Sequence, residues 1–566
     1  MSAPTVTIGR FSTALHHDGP AEAGRAGLEA SLRCVVEGGL ERALREARLP
    51  AGRWCVRRLT LTVPLDLDRP GFAGGQDWSA AMAAAIERTI REGRGDVVHY
   101  RHDVELLAEV VAGVAGGRTE RLWAWQQAGA VRPADPAPTA EPRAVVLAAL
   151  GRAPQQAAAA LLRAAAGCGL PALDRVLGED GWQAVAALVA VASWCGPGVP
   201  GPGGGTNPDG PPPAQVRALA RTLLAGSSLA GLARSARLRP GPATLAAWAV
   251  LAAAEADPAS LHRRQHPELP RALTDELRTM LGQAVKPPAP VRPAEATASA
   301  APTSGRPDGA QHPVADGTRQ GRERAGGARE PAPSGEMPPD RADAAADERT
   351  AGAPSAGSAG SAGSAGSAEE PRQHPVDTRP AEPAAACPDL DPDGTSGVPT
   401  TWAGLLFLLA TAADAGLPQR ALDDTALTAR PLRWVLYRIG RELLPDAAPD
   451  DAALLALAGL GPAHAGALLA APPPTPAEQA KVRALAATWA AVTAARLGPG
   501  PAGPPADGRA VVRAIARRGG QVFAEPGWID VRLAVAETDL TVRRAGLDLD
   551  PGWVPWLGAV VRYDYA

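Results

Sequence analysis

Apolar residues recur at helical spacing along most of this chain, and period-two alternation is confined to stretches near its two ends. Residues 20–49 place Leu28, Leu32, Val35 and Val36 on one helical stripe, which Pro50 and Gly52 end. Arg58 to Leu65 alternates apolar and polar side chains, which predicts a half-buried strand. Asp77 is the expected N-cap of a helix carrying Met82, Ile86 and Ile90. Val97 to Tyr100 reads as a short second strand. Asp103 then caps a helix with Leu107, Val110, Val111 and Val114 on one face, and Trp123 and Trp125 follow. Residues 1–136 are therefore expected to form an α+β module.

Residues 137–286 read as helical. The cleanest stripe is Val216, Leu219, Ala220, Leu223 and Leu224, with Pro213 at its start and Gly226 at its end. A Gly/Pro break from Gly196 to Pro213 divides this region. From 287 to 399 the stripes stop: Pro, Ala, Gly, Ser and mixed charges dominate, with an Ala-Gly-Ser repeat from Ser355 to Ala368. Large apolar residues are too few to offset the entropy of ordering, so a disordered linker is expected, a tether between two folded halves. About 110 flexible residues have an r.m.s. reach of roughly 55–60 Å.

Order is expected again from residue 400. Trp402 to Ala413 is the longest mostly apolar run, stopped by Asp414, too short to cross a bilayer and read as a buried helix. Further helices are expected at Pro431–Leu444, Asp451–Leu460 and Pro476–Leu497, the last with Thr475 as cap and Pro476 at its first position. Residues 400–500 thus form a helical domain. After a Gly/Pro break at Gly498–Pro505, residues 501–566 read as a small α+β module whose strand puts Ile529, Val531, Leu533 and Val535 on one face.

Composition adds limits rather than a function. At 566 residues the chain is too long for one core, and its net charge of -3 steers it toward neither nucleic acid nor anionic lipid. Only Lys286 and Lys481 among the 57 basic residues are lysines, a bias without functional weight. The 13 tryptophans outnumber the 4 Phe and 4 Tyr together, so each is expected to anchor alanine-rich packing. Cys34, Cys55, Cys168, Cys195 and Cys387 form no CxxC pair and read as reduced thiols. The first twenty residues hold no apolar export core, so the chain is expected to be cytoplasmic.

The chemical motifs are weak. Gly196-Pro197-Gly198-Val199-Pro200-Gly201 matches a dinucleotide-loop pattern, but its prolines remove the N–H donors a pyrophosphate needs. Asp389-Leu390-Asp391-Pro392-Asp393-Gly394 resembles half a calcium loop, yet Thr400 stands where the bidentate Glu belongs. His99, His102 and Asp103 lack a further convergent ligand, and His16-His17 lies in a polar stretch. Asp548 and Asp550, before Pro551-Gly552, read as turn residues. No metal, cofactor or catalytic group is expected. Trp553 and Trp556 either dock a partner or pack a core; the pattern leaves both open.

The run Ile529-Asp530-Val531 … Val542-Arg543-Arg544-Ala545-Gly546-Leu547-Asp548-Leu549-Asp550-Pro551-Gly552-Trp553-Val554-Pro555-Trp556-Leu557-Gly558, then Val560 to Tyr563, resembles the end of a protein encoded in contractile injection system (phage-tail-like) clusters of actinobacteria. Val104–Ala108, Trp123–Trp125 and Trp402–Leu409 resemble the same family, and Arg58–Val63 is similar to the opening strand of its tape-measure-type proteins. The resemblance covers about a third of the chain. It implies a structural or assembly component, tape-measure-like and not an enzyme, that contacts tube, baseplate or cap proteins, with no nucleic acid and no membrane insertion. The proline- and glycine-rich middle departs from a tape measure, since it cannot form a continuous helical rod. The expectation is thus a mainly α, multi-domain protein with small α+β modules at its N- and C-terminal ends and a long disordered linker, with Trp553 and Trp556 as docking candidates. Its rivals are an enzyme with an unrecognised site and a scaffold unrelated to such particles.

Overall fold

The computed structural model describes residues 21–47, 49, 52–60, 62, 71–93, 97–192, 213–263, 265–282, 397–498 and 507–565. Residues 287–396 of the expected linker, the Gly196–Gly201 and Asp389–Gly394 strings, and His16-His17 lie outside these residues, whereas 397–399, expected as linker, are described, and Val398 and Pro399 are part of a strand that pairs with Val522 and Gln521. The described chain is mainly helical, with two small sheets.

Helices at 21–46 and Gly71–Glu92 pack through Val35, Leu44, Trp78 and Met82 into a small core of their own. Val36, expected on the same stripe, is exposed, because the helix relaxes into a wider turn at Val35–Gly39 with Gly38 at φ 117°. Asp77 is not a cap. Its helix begins six residues earlier, at Gly71, and Gly75 within it lies so close to the first helix that a Cβ there would stand 2.4 Å from the Cys34 Cβ.

The first lobe is built on β1 (Arg53–Val56) and β2 (Val97–Tyr100), an antiparallel pair. The strand expected at Arg58–Leu65 is therefore displaced. Pairing ends at Val56 opposite Val97, and Arg58–Thr60 have no ladder partner; Leu61 and Val63 onward lie outside the described residues. Helix Asp103–Ala115 follows, with Leu107, Val110, Val111 and Val114 buried as expected. Its cap is His102 rather than Asp103: the imidazole Nδ1 accepts the Glu105 amide at 3.3 Å. One core continues from Val114 and Trp125 through Val145 and Leu161 to Trp182, Trp248 and Leu273, across the boundary expected at 136/137. The helix at Ala214–Ala225 buries all five stripe residues.

The second lobe joins helices to a five-stranded sheet. Its strands are β3 (Val398–Thr400), β4 (Gly520–Glu525), β5 (Trp528–Leu533), β6 (Gly552–Val554) and β7 (Ala559–Tyr565), ordered β3-β4-β5-β7-β6. Only β5 and β7 run parallel. The apolar run at Trp402 is buried on every side, as expected of a segment apolar all round, but it is the tighter 3₁₀ form over Ala403–Thr411. Gly404 lies there against the Ile515 carbonyl, so close that a Cβ would stand 2.2 Å from it. Tyr563 donates to the Leu406 carbonyl at 2.7 Å and meets Phe407 edge-on, tying sheet to helix. Helix Pro476–Leu497 carries the expected Thr475 cap, completed by Glu478. Val535 leaves the strand face: it begins a 3₁₀ turn after β5 and is exposed.

Both lobes belong to one compact unit. The tether expected between two separate halves thus connects lobes that already touch.

Candidate functional site

The lobes meet through two polar clusters with a cleft between them. The first cluster forms where the β4–β5 turn, Glu525-Pro526-Gly527, presses on the first lobe. Gly527 has φ +82°, and a Cβ there would stand 2.6 Å from the Ala159 Cβ, so only glycine fits this approach. Glu525 accepts from Arg101 Nη1 at 2.8 Å and from Arg163 Nη1. Glu105 bridges the two arginines, taking Arg163 Nη2 at 3.1 Å and Arg101 Nε at 3.4 Å. Because His102 Nδ1 accepts the Glu105 amide, the neutral ring carries its proton on Nε2, which faces Glu525 at 3.5 Å. The same ring stacks on Trp528, 4.8 Å between centroids. Burial alone pushes the Glu525 carboxyl up, but His102, Arg163 and Arg101 outweigh it and hold it down at about 2.

The second cluster centres on Asp257, fully buried at the end of helix Pro242–Ala256. Its Oδ2 accepts from the Ser260 hydroxyl and, across the seam, from the Leu432 amide at 2.6 Å. Asp257 therefore caps helix Leu432–Leu443 of the other lobe, whose own N-cap residue, Pro431, supplies no side-chain acceptor. Arg263 returns the favour by donating to the carbonyls of Leu427, Thr428 and Arg430. His266 Nε2 lies 3.3 Å from the Thr428 carbonyl as well. Burial pushes the Asp257 carboxyl above its usual range, against the pull of Ser260, Arg263, Arg433 and the Leu432 amide. Ala259, from the first lobe, is packed into the core of the second.

Of the residues singled out by sequence, His102 belongs to the first cluster and Trp553 to the cleft, and the others fall elsewhere. Trp553 is half-buried in β6 and lines the cleft; Trp556 is half-buried against the second-lobe core. Asp548 is buried and accepts from Arg543 and from the Tyr565 hydroxyl, while Asp550 accepts the Tyr563 amide at 2.7 Å. Both carboxylates fasten the terminal strand, Asp548 from within the turn expected there. His99 stacks on Trp54 at 3.9 Å, and Asp103 pairs with Arg53 at 2.8 Å. No group of three or more potential ligands for a metal ion occurs among the described residues.

No single described helix is long and apolar enough to cross a membrane. One bent pair, Pro142–Arg152 with Pro154–Cys168, passes by length and composition, but it turns through 104° and carries fully buried core residues such as Val145, Leu150 and Leu161. Compared with family models, curated proteins and solved structures, the chain matches none of them.

Proposed function

We propose that the chain is a structural or assembly component of a contractile injection particle, working by contact with tube, baseplate or cap proteins and catalysing no reaction. One observation supports this reading above the others: two of the stretches that resemble that family, Trp402–Leu409 and Val560–Tyr563, far apart in sequence, meet in space, where the Leu406 carbonyl accepts from the Tyr563 hydroxyl at 2.7 Å and Phe407 packs edge-on against the same ring. Distant stretches of one resemblance that build one core are what a folded docking body requires.

The body favours docking over length measurement. Its longest described helix, Leu170–Ala192, has 23 residues and is broken at Gly178, so it spans at most about 35 Å at 1.5 Å per residue. A rod-like ruler needs far more. In the cell the protein is cytoplasmic until it is incorporated.

Deletion of the gene, followed by electron microscopy of particles from the source cells, tests this. The expected result is loss of particles or particles lacking one end structure. Normal particles in normal numbers overturn the reading. Excision of residues 287–396, which leaves β3 in place, separates the two roles: unchanged particle length keeps the docking role and excludes the ruler.

A further inference from the structure

Each lobe carries its own core. The core from Cys55 to Leu277 lies wholly in the first lobe, and the core of the second takes in one outsider, Ala259. What joins the lobes is a set of point contacts. Asp257 accepts the Leu432 amide, and Arg263 donates to the carbonyls of Leu427, Thr428 and Arg430. Gln265 donates to the Asp423 carbonyl, and Glu525 accepts from Arg101 and Arg163. Every contact has one member on each lobe, so parting the lobes leaves both members without their partner. The two surfaces are complementary, and both recur on every copy of the chain.

In sequence the lobes are joined through residues 283–396. Loop-closure entropy rises only with the logarithm of length, so length alone does not bind a lobe to its own chain. A connection of about 110 residues presents it there at an effective concentration on the order of 1 mM or below. A second copy therefore competes for the same surface by concentration. Two chains that exchange second lobes make every seam contact twice, and the reciprocal pair closes on itself with no lobe left over.

We propose that the seam is an interface between copies of this chain as well as within one copy. The second lobe of each chain docks on the first lobe of the other, through the residues that fasten the single chain. Since the seams are equal in both forms, the exchanged dimer dissociates with a constant on the order of 1 mM, and it forms where copies are crowded together. The inference is independent of the particle reading, because it rests on the seam and on the length of chain between the lobes.

Charge reversal on opposite lobes of two full-length chains tests it. Arg163→Glu sets a further acid beside Glu525 and Glu105. Glu525→Arg sets a cation against Arg101, Arg163 and His102. Each chain alone then carries a mismatched seam. Exchange between the two pairs substituted lobe with substituted lobe and unaltered with unaltered, so both seams of the mixed dimer are matched. Each mismatch is expected to weaken a seam about 30-fold, the size of one hydrogen bond to a charged group. The mixed dimer therefore gains about 1,000-fold, and its dissociation constant falls to about 1 μM.

Co-expressed with different affinity tags, the two variants are expected to copurify one to one at about 10 μM, with the light-scattering mass of a dimer. Differently tagged copies of the native chain, or of either variant, are expected to stay apart. A chain carrying both substitutions is matched within itself and is expected to return to a monomer. Variants that copurify no better than the native chain does with itself overturn the proposal, as do like pairs that copurify as well as the mixed pair. Arg101→Glu takes the place of Arg163→Glu should that chain not fold. The native chain supplies a check without substitution. Its mass by small-angle X-ray scattering is expected to rise from one chain toward two as the concentration nears about 1 mM, and a mass that stays at one chain also overturns the proposal.

Discussion

At one edge of the seam Glu525 sits among Arg101, Arg163 and His102 with 28% of its side chain still exposed. At the other edge Asp257 is wholly buried and holds a single backbone amide and a hydroxyl. The first cluster joins charges that water can still reach. Its strength should follow pH and salt. The second joins a carboxylate to the end of a helix in a dry place, where the geometry of one amide decides everything. Burying it costs desolvation, and removing it strands what it holds. One edge is adjustable and the other fixed.

The largest effect is expected at the fixed edge. Asp257→Ala leaves the Leu432 amide without its acceptor and removes the carboxylate nearest Arg263 and Arg433. Loss of one partner of a buried charge group costs about 3–5 kcal/mol, and denaturant midpoints should fall accordingly. Asp257→Asn keeps an acceptor and should recover part of that loss. If the alanine variant costs no more than an exposed substitution, the fixed edge does not exist as described.

Gly527 comes next. A valine there meets both a positive φ and the Ala159 Cβ, at an expected cost of about 1–3 kcal/mol. Ala159→Gly removes that atom and should relieve the steric share only. A combined variant no more stable than Gly527→Val alone would show that the backbone, and not the approach of the lobes, sets the cost.

These positions also mark what the sequence can and cannot express. Helix Pro476–Leu497 was legible because cap, proline and stripe all lie within the segment itself. So was the stripe at Val216 to Leu224. The seam was not, since Asp257 and Leu432 are 175 residues apart and periodicity reports only local neighbours. A signal was present all the same. Pro431-Leu432 opens a strong helix with no Ser, Thr, Asp or Asn to cap it, and an uncapped buried helix start requires an acceptor from elsewhere. Likewise Glu525, an acid at the end of a strand before Pro526-Gly527, carries no local signal, because Arg101, Arg163 and His102, which face it, are all more than 300 residues away in sequence. The strand misplaced to Arg58–Leu65 fails for the converse reason: alternation was local, but pairing is set by the four-residue partner Val97–Tyr100.

At the adjustable edge the pH sign is fixed by the depressed carboxyl. Glu525 ionises at about 2 in the folded protein against 4.5 when unperturbed. Its contribution is therefore fully present above pH 4.5 and is lost as pH falls toward 2, on the order of 2 kcal/mol after allowance for solvent. Glu525→Gln should lower stability near pH 7 by that amount, and the gap from the native chain should close below pH 3. The native chain keeps a second acid-sensitive group inside one lobe: burial would raise Glu478, but Arg430 and Thr475 hold it down. That loss is common to both proteins and cancels in the difference. A gap that stays constant from pH 7 to pH 2.5 would remove Glu525 from the seam's acid response.

The smallest effect isolates screening from protonation. Raising NaCl to 1 M shortens the Debye length to about 3 Å, which weakens partly exposed pairs and spares a buried amide contact. The four side chains Arg101, Glu105, Arg163 and Glu525 are 27%, 26%, 36% and 28% exposed, so the native chain should lose about 0.5–1 kcal/mol more than Glu525→Gln does. Asp257→Asn and the native chain should instead shift in parallel. The comparison uses differences between variants in the same salt, so the general effect of salt on apolar burial drops out. Should Asp257→Asn change the salt response as much as Glu525→Gln, the two edges would be one electrostatic network, and the division between an adjustable and a fixed fastening would have to be given up.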